Sequence, residues 1–369
     1  MDKSKVYFID FKATAKENIF QKLERLMDVS GFKNIIAKKD LTAVKLHFGE
    51  RGNTAYIMPI YIKIIVDAIK KAEGIPFLTD ANTLYAGTRS DSPDHIQTAV
   101  KNGFAFSVVE APIIIADGLR GKTETAISIN QKRFKEVYIG KEIVEADAIV
   151  SVAHFKGHEL AGFGGTIKNL GMGCASRRGK MAQHSNLSPK VKQKKCIGCG
   201  DCVSHCSQHA ISLVDEKAFI DSKTCIGCGE CILICPNSAI EIQWNQSIPI
   251  FLENMVEYTL GVLKGKEGKT FYINFINNVS PACDCYGYND VPIVRDIGIV
   301  ASNDPVAIDQ ASVELVNQQK ASPDSCVKSN INEGEDKFKA VYPNVNWEIQ
   351  LEYAEKLGLG TRNYELIKI

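Results

Sequence analysis

KCIGCGDCVSHC, residues 195–206, recurs 29 positions later as TCIGCGECILICP, residues 224–236. Each copy spaces three cysteines two residues apart and adds a fourth after three more. Three thiolates so spaced can wrap three irons of one cubane, and small Gly198 and Gly200 let backbone amides approach the sulfurs. The fourth cysteine points the other way along the following helix and closes the second cubane. The crossed assignment gives Cys196, Cys199, Cys202 and Cys235 to one [4Fe–4S] cluster, and Cys225, Cys228, Cys231 and Cys206 to the other. Paired C-x₂-C units also build structural zinc sites, but the doubled four-cysteine run favours clusters. Ser207 stands where the second copy has Pro236, so the turn after Cys206 is less constrained, and no ligand is lost.

This is the spacing of bacterial-type two-cluster ferredoxins. Outward from it, the composition is that of an ordinary globular chain: 369 residues, 45% hydrophobic, 24% charged. Lys and Arg number 44 against 43 Asp and Glu, so no global field points to nucleic acid. The longest apolar stretch, Ile57 to Ile69, is interrupted by Lys63 and Asp67 and is too short to span a bilayer. Asp2 and Asp10 flank the apolar patch near the N-terminus, which is unlike an export signal. A cytoplasmic protein without membrane or nucleic-acid partners is expected. In such a compartment, eight of twelve cysteines within forty residues read as cluster ligands rather than disulfides.

On both sides of the repeat, strand-like and helix-like segments alternate. The pattern predicts strands at Lys5–Phe11, Thr42–Phe48, Pro76–Leu78 and Ala148–Val152, with helices over Lys16–Met27, Met58–Ala72 and from Asp91 to about Gly103. Beyond the repeat come a helix at Ile250–Val262, strands at Lys269–Ile276 and Ile297–Val300, and a helix over Asp304–Gln319 that opens with Pro305. The expected fold is α/β, a mostly parallel sheet with flanking helices, carrying an inserted α+β ferredoxin-like module. The expected parts are 1–187 and 246–369 for the α/β domain and 188–245 for the module. Two independent domains flanking the module are the rival.

The stretch before the repeat, HFKGHELAGFGGTIKNLGMGCASRRGKMAQH (154–184), holds seven glycines and three of the chain's seven histidines. It follows a predicted strand and carries Lys156, Lys168, Arg177, Arg178 and Lys180 against the single acid Glu159. Glycine-rich backbone with cations and a helix start is what an anion-binding loop requires. The spacing matches neither a dinucleotide fingerprint nor a Walker loop. His154, His158 and His184 are candidate acid–base groups. Lys168 and Asn169 form a polar pair suited to an oxyanion. Lys156, Gly164, Gly165, Asn169, Arg177 and Lys180 are candidate cofactor contacts. His47, at the end of a predicted strand, is expected to converge on the same crevice, because open α/β sheets bind ligands beyond strand carboxyl ends. A solvated basic loop is the plainer alternative.

Cys283 and Cys285, with Cys174, suggest a third site, in which three thiolates would bind an additional metal or form a redox couple with a substrate or flavin. Buried packing is the alternative for each. Cys326 has no evident partner. Ser302 or Asp304 reads as a helix cap, with completion of an anion or metal site as the functional alternative.

Together, Lys45–Glu50, His154–His184, Cys283–Cys285 and Asp304–Asp309 resemble the family catalogued as domain of unknown function 362, in which such an α/β domain often accompanies a two-cluster ferredoxin module. A fainter similarity links Ala161–Lys168 to the glycine-rich lysine loop of nickel-pincer lactate racemases, where the lysine holds the cofactor. Here the spacing from Gly-Gly to Lys is one residue longer and the flanking proline–glycine is absent. The reading is an iron–sulfur oxidoreductase or electron-transfer protein that relays single electrons to an anion- or cofactor-binding pocket, with a redox protein or small anionic substrate as partner. The alternatives are a non-enzymatic carrier whose α/β domain docks a partner, and a non-redox, racemase-like enzyme with structural clusters.

Overall fold

Four neighbouring parallel strands, all running toward the same edge of one sheet, set the geometry of the molecule. The computed structural model describes residues 3–85, 87–185, 188–243 and 246–369. Its central sheet has seven strands: β1 (Ser4–Asp10), β2 (Leu41–Lys45), β3 (Ile75–Thr79), β4 (Ala148–His154), β5 (Thr270–Ile276), β6 (Gly298–Ser302) and β7 (Tyr364–Lys368). They lie in the order β7-β1-β6-β5-β4-β2-β3. β5, β4, β2 and β3 are mutually parallel, β7 is parallel to β1, and β6 runs antiparallel to both its neighbours. The sheet is thus mostly parallel, as the alternating pattern requires. β4 comes before the cysteine-rich segment and β5 after it, yet Val150 pairs with Phe271 and Val152 with Ile273. The expected boundaries at 187/188 and 245/246 involve residues 187 and 245, which lie outside the described residues.

Every residue of β4 is buried, as parallel strands covered on both faces are. Side-chain alternation divides the sheet between two cores. Ile149 and Tyr272 face one, and Val150, Val152, Phe271, Ile273 and Phe275 face the other. The second core is covered by helices α1 (Ile19–Val29) and α2 (Pro59–Lys71). A capping box fixes the start of α1: Asn18 accepts from the Gln21 amide while the Gln21 side chain accepts from the Asn18 amide. Pro59 opens α2, and Lys70 and Lys71 face its carbonyl end. Its apolar stripe of Ile62, Ile65, Val66 and Ile69 is fully buried, about 1.5–3 kcal/mol for each side chain. The first core is covered by α3 (Thr166–Gly171), α5 (Ile248–Leu263) and α6 (Pro305–Asn317), while α4 (Arg177–His184) packs beside α5. Asp304 caps α6 through the Val306 and Ala307 amides, which is the plainer of its two readings.

Residues 188–243 form a small separate layer. Lys190–Val191 pairs with Ile240–Glu241, which brings the two ends of the segment together, and Ile211–Val214 pairs with Lys217–Ile220. Its buried apolar cluster is Cys202, Ile211, Ala218 and Ile240. Among the described residues, no helix is long and apolar enough to cross a membrane.

Candidate functional site

Within residues 188–243, the two copies of the cysteine repeat fold alike. Gly198 and Gly200, and their counterparts Gly227 and Gly229, all have φ between 69 and 82°. That left-handed region favours glycine, and a Cβ on Gly198 would meet the Glu216 carbonyl oxygen at 2.4 Å. The thiols surround two small cavities. Cys196, Cys199, Cys202 and Cys235 wall one, and Cys206, Cys225, Cys228 and Cys231 wall the other. The fourth cysteine of each repeat therefore faces the cavity of the other repeat. Backbone amides of Ala218, Ala210 and Ala239 donate to the sulfurs of Cys196, Cys206 and Cys235 at 3.3, 3.3 and 3.2 Å. Among the described residues, no three His, Cys, Asp or Glu side chains converge as a site for a single metal ion.

A far larger cavity, about 730 Å³, opens at the carboxyl ends of β2, β3 and β4. Open α/β sheets place ligands at this edge because the connecting loops diverge there. Lys45 ends β2 and Asp80 follows β3; their side chains pair at 3.0 Å, both almost fully buried. Arg89 reaches Glu50 at 3.3 Å and Asp80 at 3.4 Å. Lys156 pairs with buried Asp284 at 3.1 Å. Among the described residues, Lys168 meets no carboxylate within ion-pair distance; its Nζ lies 3.5 Å from the Cys283 sulfur. Lys180 donates to the Ala175 carbonyl at 2.6 Å. The lining therefore carries five cations, Lys45, Arg89, Lys156, Lys168 and Lys180, against three acids, Glu50, Asp80 and Glu159. Such a surplus in a partly closed cavity attracts anions.

Burial sets the protonation of this lining. It drives the imidazoles of His47 and His158 below their ordinary range and that of His184 down to about 3, so all three are neutral near pH 7. Burial also brings Lys180 down to about 8, despite the opposing carboxylates of Asp117 and Asp80. Lys168 moves the other way: the Cys283 and Cys285 sulfurs outweigh burial and raise it. Cys283 donates its S–H to Cys285 across 3.0 Å, which holds Cys283 above and Cys285 below the ordinary thiol value. The Gly49 amide donates to Nδ1 of His47, so its Nε2 carries the proton that faces the Cys285 sulfur at 3.4 Å.

Residues 42–314 match the family described as Domain of unknown function (DUF362). The chain belongs to this family. No curated protein matches it. Among solved structures, the lactate racemase apoprotein from Thermoanaerobacterium thermosaccharolyticum is 14% identical with a TM-score of 0.42, and the match covers 87% of this chain and 59% of that one. A structural-genomics protein from Thermotoga maritima is 9% identical with a TM-score of 0.40, covering 94% of this chain and 60% of that one. The chain thus spans about three-fifths of the length of each.

In this DUF362 chain, the cavity gathers His47, Lys156, His158, Gly164, Gly165, Lys168, Asn169, Lys180, His184 and Cys285 onto one lining. Four expected site residues stand elsewhere, among them Cys283, which is buried behind the lining beside Lys168. His154 lies behind the wall, with Nδ1 on Asp284 and Nε2 on the Asn277 carbonyl at 2.9 Å each. Arg177 is buried among the carbonyls of Thr83, Ser90 and Arg120. Cys174 does not join Cys283 and Cys285; it is in the apolar core near Lys45, Asp80 and Lys180, where burial pushes its thiol up to about 12. The glycine-rich loop also differs from an amide anion cradle. Asp309 accepts from the Thr166 and Ile167 amides, so a protein carboxylate already occupies the start of α3. Anion affinity then falls to the side chains.

Sequence reasoning missed Lys45, Glu50, Asp80, Tyr85 and Arg89 as lining residues. Lys45 and Asp80 carry a usable signal, a charged residue at the carboxyl end of a buried strand. Arg89 carries none, because only the fold of the loop after β3 turns it inward.

The second cysteine cage and the large cavity are neighbours. A Cβ on Gly229 would lie 3.0 Å from Leu84, a cavity residue, and 3.4 Å from Arg177. Leu84 packs with Met181, Ile232 and Ile242, which joins the two layers by apolar contact. Arg120 and Lys122 pair with Glu230, next to the same cage.

Proposed function

We propose that this DUF362 chain is an iron–sulfur electron-transfer protein whose two [4Fe–4S] clusters serve an anion-binding cavity in the α/β domain. The fit of the residues to that group supports the reading. Four thiols line each cage, and backbone amides donate to the sulfurs of Cys196, Cys206 and Cys235. A cubane is held by four thiolates and tuned by hydrogen bonds to its sulfurs, and each cage supplies both kinds of group. Cys196, Cys199, Cys202 and Cys235 would hold one cluster, and Cys206, Cys225, Cys228 and Cys231 the other. When bound, the clusters supply one-electron transfer.

The chain's own residues give this pair a direction. Cys199 is exposed, so the first cage is open to an external redox protein. The second cage abuts Leu84 and Arg177 behind the cavity. Adjacency of one cage and the cationic cavity is the observation that carries the proposal. Within the cavity, Lys168 and Lys180 would hold a small anion, and neutral His47 and His158 would move protons at its edge. Iron and acid-labile sulfide analysis of anaerobically purified protein should give about eight of each per chain. Zinc without sulfide would remove the clusters and the function with them.

A second reading, proton-transfer chemistry on an anionic substrate with structural clusters, is favoured by Lys180, whose value of about 8 suits an acid–base group. It requires turnover that is indifferent to the oxidation state of the clusters.

A further inference from the structure

We propose that Cys283 and Cys285 form a redox-active dithiol in the cavity wall, which cycles with an intrachain disulfide by exchange with small disulfides and dithiols. The inference deepens the reading above by naming a chemistry for the cavity, and it rests on the cavity, not on the clusters. Both sulfurs sit on the long connection between β5 and β6, 3.0 Å apart. Residue 284 between them is an anchor. Its carboxylate is buried against His154 Nδ1 at 2.9 Å and Lys156 Nζ at 3.1 Å, and its carbonyl accepts from the Glu50 amide. Residues 283–286 close a tight turn, in which the Tyr286 amide donates to the Cys283 carbonyl at 3.1 Å. With Asp284 anchored inward, the turn brings the sulfurs of its two neighbours together.

The two sulfurs are not equivalent. Cys285 lines the cavity, with His47 Nε2 3.4 Å from its sulfur, and suits the attacking role. Cys283 is buried beside Lys168 and suits the resolving role. In the forward direction the Cys285 thiolate attacks one sulfur of RS–SR and releases RS⁻. The Cys283 thiol then passes its proton to that RS⁻ and attacks the Cys285 sulfur, releasing the second RS⁻. Net, one external S–S bond breaks and one internal S–S bond forms. RS–SR gains two electrons and appears as RSH and RS⁻. A dithiol reverses the cycle.

The test equilibrates the anaerobic holoprotein in buffers of reduced and oxidised dithiothreitol, alkylates the free thiols, and weighs the peptide containing residues 283–285. The expected result is one transition from doubly alkylated to disulfide-linked peptide, while Cys174 stays alkylatable after unfolding at every ratio. Lys168→Met removes a cation that stabilises the thiolate form, so the dithiol-to-disulfide ratio at fixed buffer should fall about tenfold, about 30 mV. Cys285→Ser should leave Cys283 alkylatable throughout. If the wild-type peptide never becomes disulfide-linked, or if Cys283 is still trapped in a disulfide in Cys285→Ser, the dithiol assignment is overturned. Counting iron and sulfide on the same samples separates this outcome from failure of the cluster reading, since the couple titrates whether or not iron is present.

Discussion

The two cysteine cages and the cationic cavity gather charge by opposite means. The cages draw all eight thiols from forty consecutive residues and hold them over an apolar cluster of only Cys202, Ile211, Ala218 and Ile240. The cavity draws its cations from the end of β2, the segments after β3 and β4, and helices α3 and α4, and rests on both large cores of the sheet. On the proposed reading, a segment with so little apolar burial gains folding free energy from the clusters its thiols bind. The cavity is preformed: Lys45, Arg89 and Lys156 already have their carboxylates. On that reading the ligand orders one region, whereas the other is shaped by its own ion pairs.

Removing iron is the strongest way to break that contrast. Anaerobic chelation should expose residues 188–243 to limited proteolysis while the sheet keeps its far-ultraviolet dichroism and cooperative unfolding. Equal protection of both layers after iron loss would mean that the segment folds on its apolar cluster alone.

The next largest effect is expected at Lys168, which with Lys180 is a cavity cation that pairs with no carboxylate among the described residues. Lys168→Met should weaken oxalate, as a probe dianion, at least about tenfold, or about 1.4 kcal/mol, by calorimetry. Replacing exposed Lys132, which pairs with Glu253 on the surface, should leave oxalate affinity unchanged.

Asp309 tests whether the cavity wall is held by buried charge. Burial raises its carboxyl to about 6, against the pull of the Ile167 amide, Asn274 and the Thr166 amide. Because the folded value lies above the ordinary 3.8, this group favours the fold most below about pH 4, and that contribution is lost as pH rises through about 6. A shift of this size is about 3 kcal/mol. Urea unfolding at pH 4.5 and 7.5 should show a decline across this window that Asp309→Asn flattens. The same variant should lose about 1–3 kcal/mol at the lower pH, since an amide nitrogen would face the Ile167 N–H.

The smallest effect concerns Lys180. With its value at about 8, it is mostly charged at pH 7 and neutral above pH 9, so oxalate affinity should fall a few-fold as pH rises through 8. Lys180→Met should abolish that inflection and lower affinity at pH 7.

The same contrast explains what could be read from the chain. The two four-cysteine cages were legible because all eight thiols are local and the 29-residue repeat sets their offsets. The α/β rhythm was legible because β4 is buried on both faces and α2 carries an unbroken apolar stripe between Pro59 and Lys71. The C-terminal strand β7 was not, because Tyr364–Lys368 is half-exposed and gains its pairing only by lying beside β1. The cavity was half-legible. Its glycine-rich wall stands out in composition, but Glu50, Asp80 and Arg89 meet only through the order of strands in the sheet. The occupied start of α3 was invisible, since Asp309 lies 143 positions from Thr166. Grouping Cys174 with Cys283 and Cys285 failed for the same reason: rare residue types suggested a set, and the packing of Cys174 into the core removed one member.

The claim that the cages serve the cavity is tested most directly by electron paramagnetic resonance during a redox titration, with and without oxalate. The account predicts that oxalate lowers the midpoint of one cluster signal and leaves the other unmoved, because a bound anion lies behind the cage of Cys206, Cys225, Cys228 and Cys231 alone. The shift should vanish in Lys168→Met. Two signals that move together, or neither moving when oxalate is bound, would contradict it.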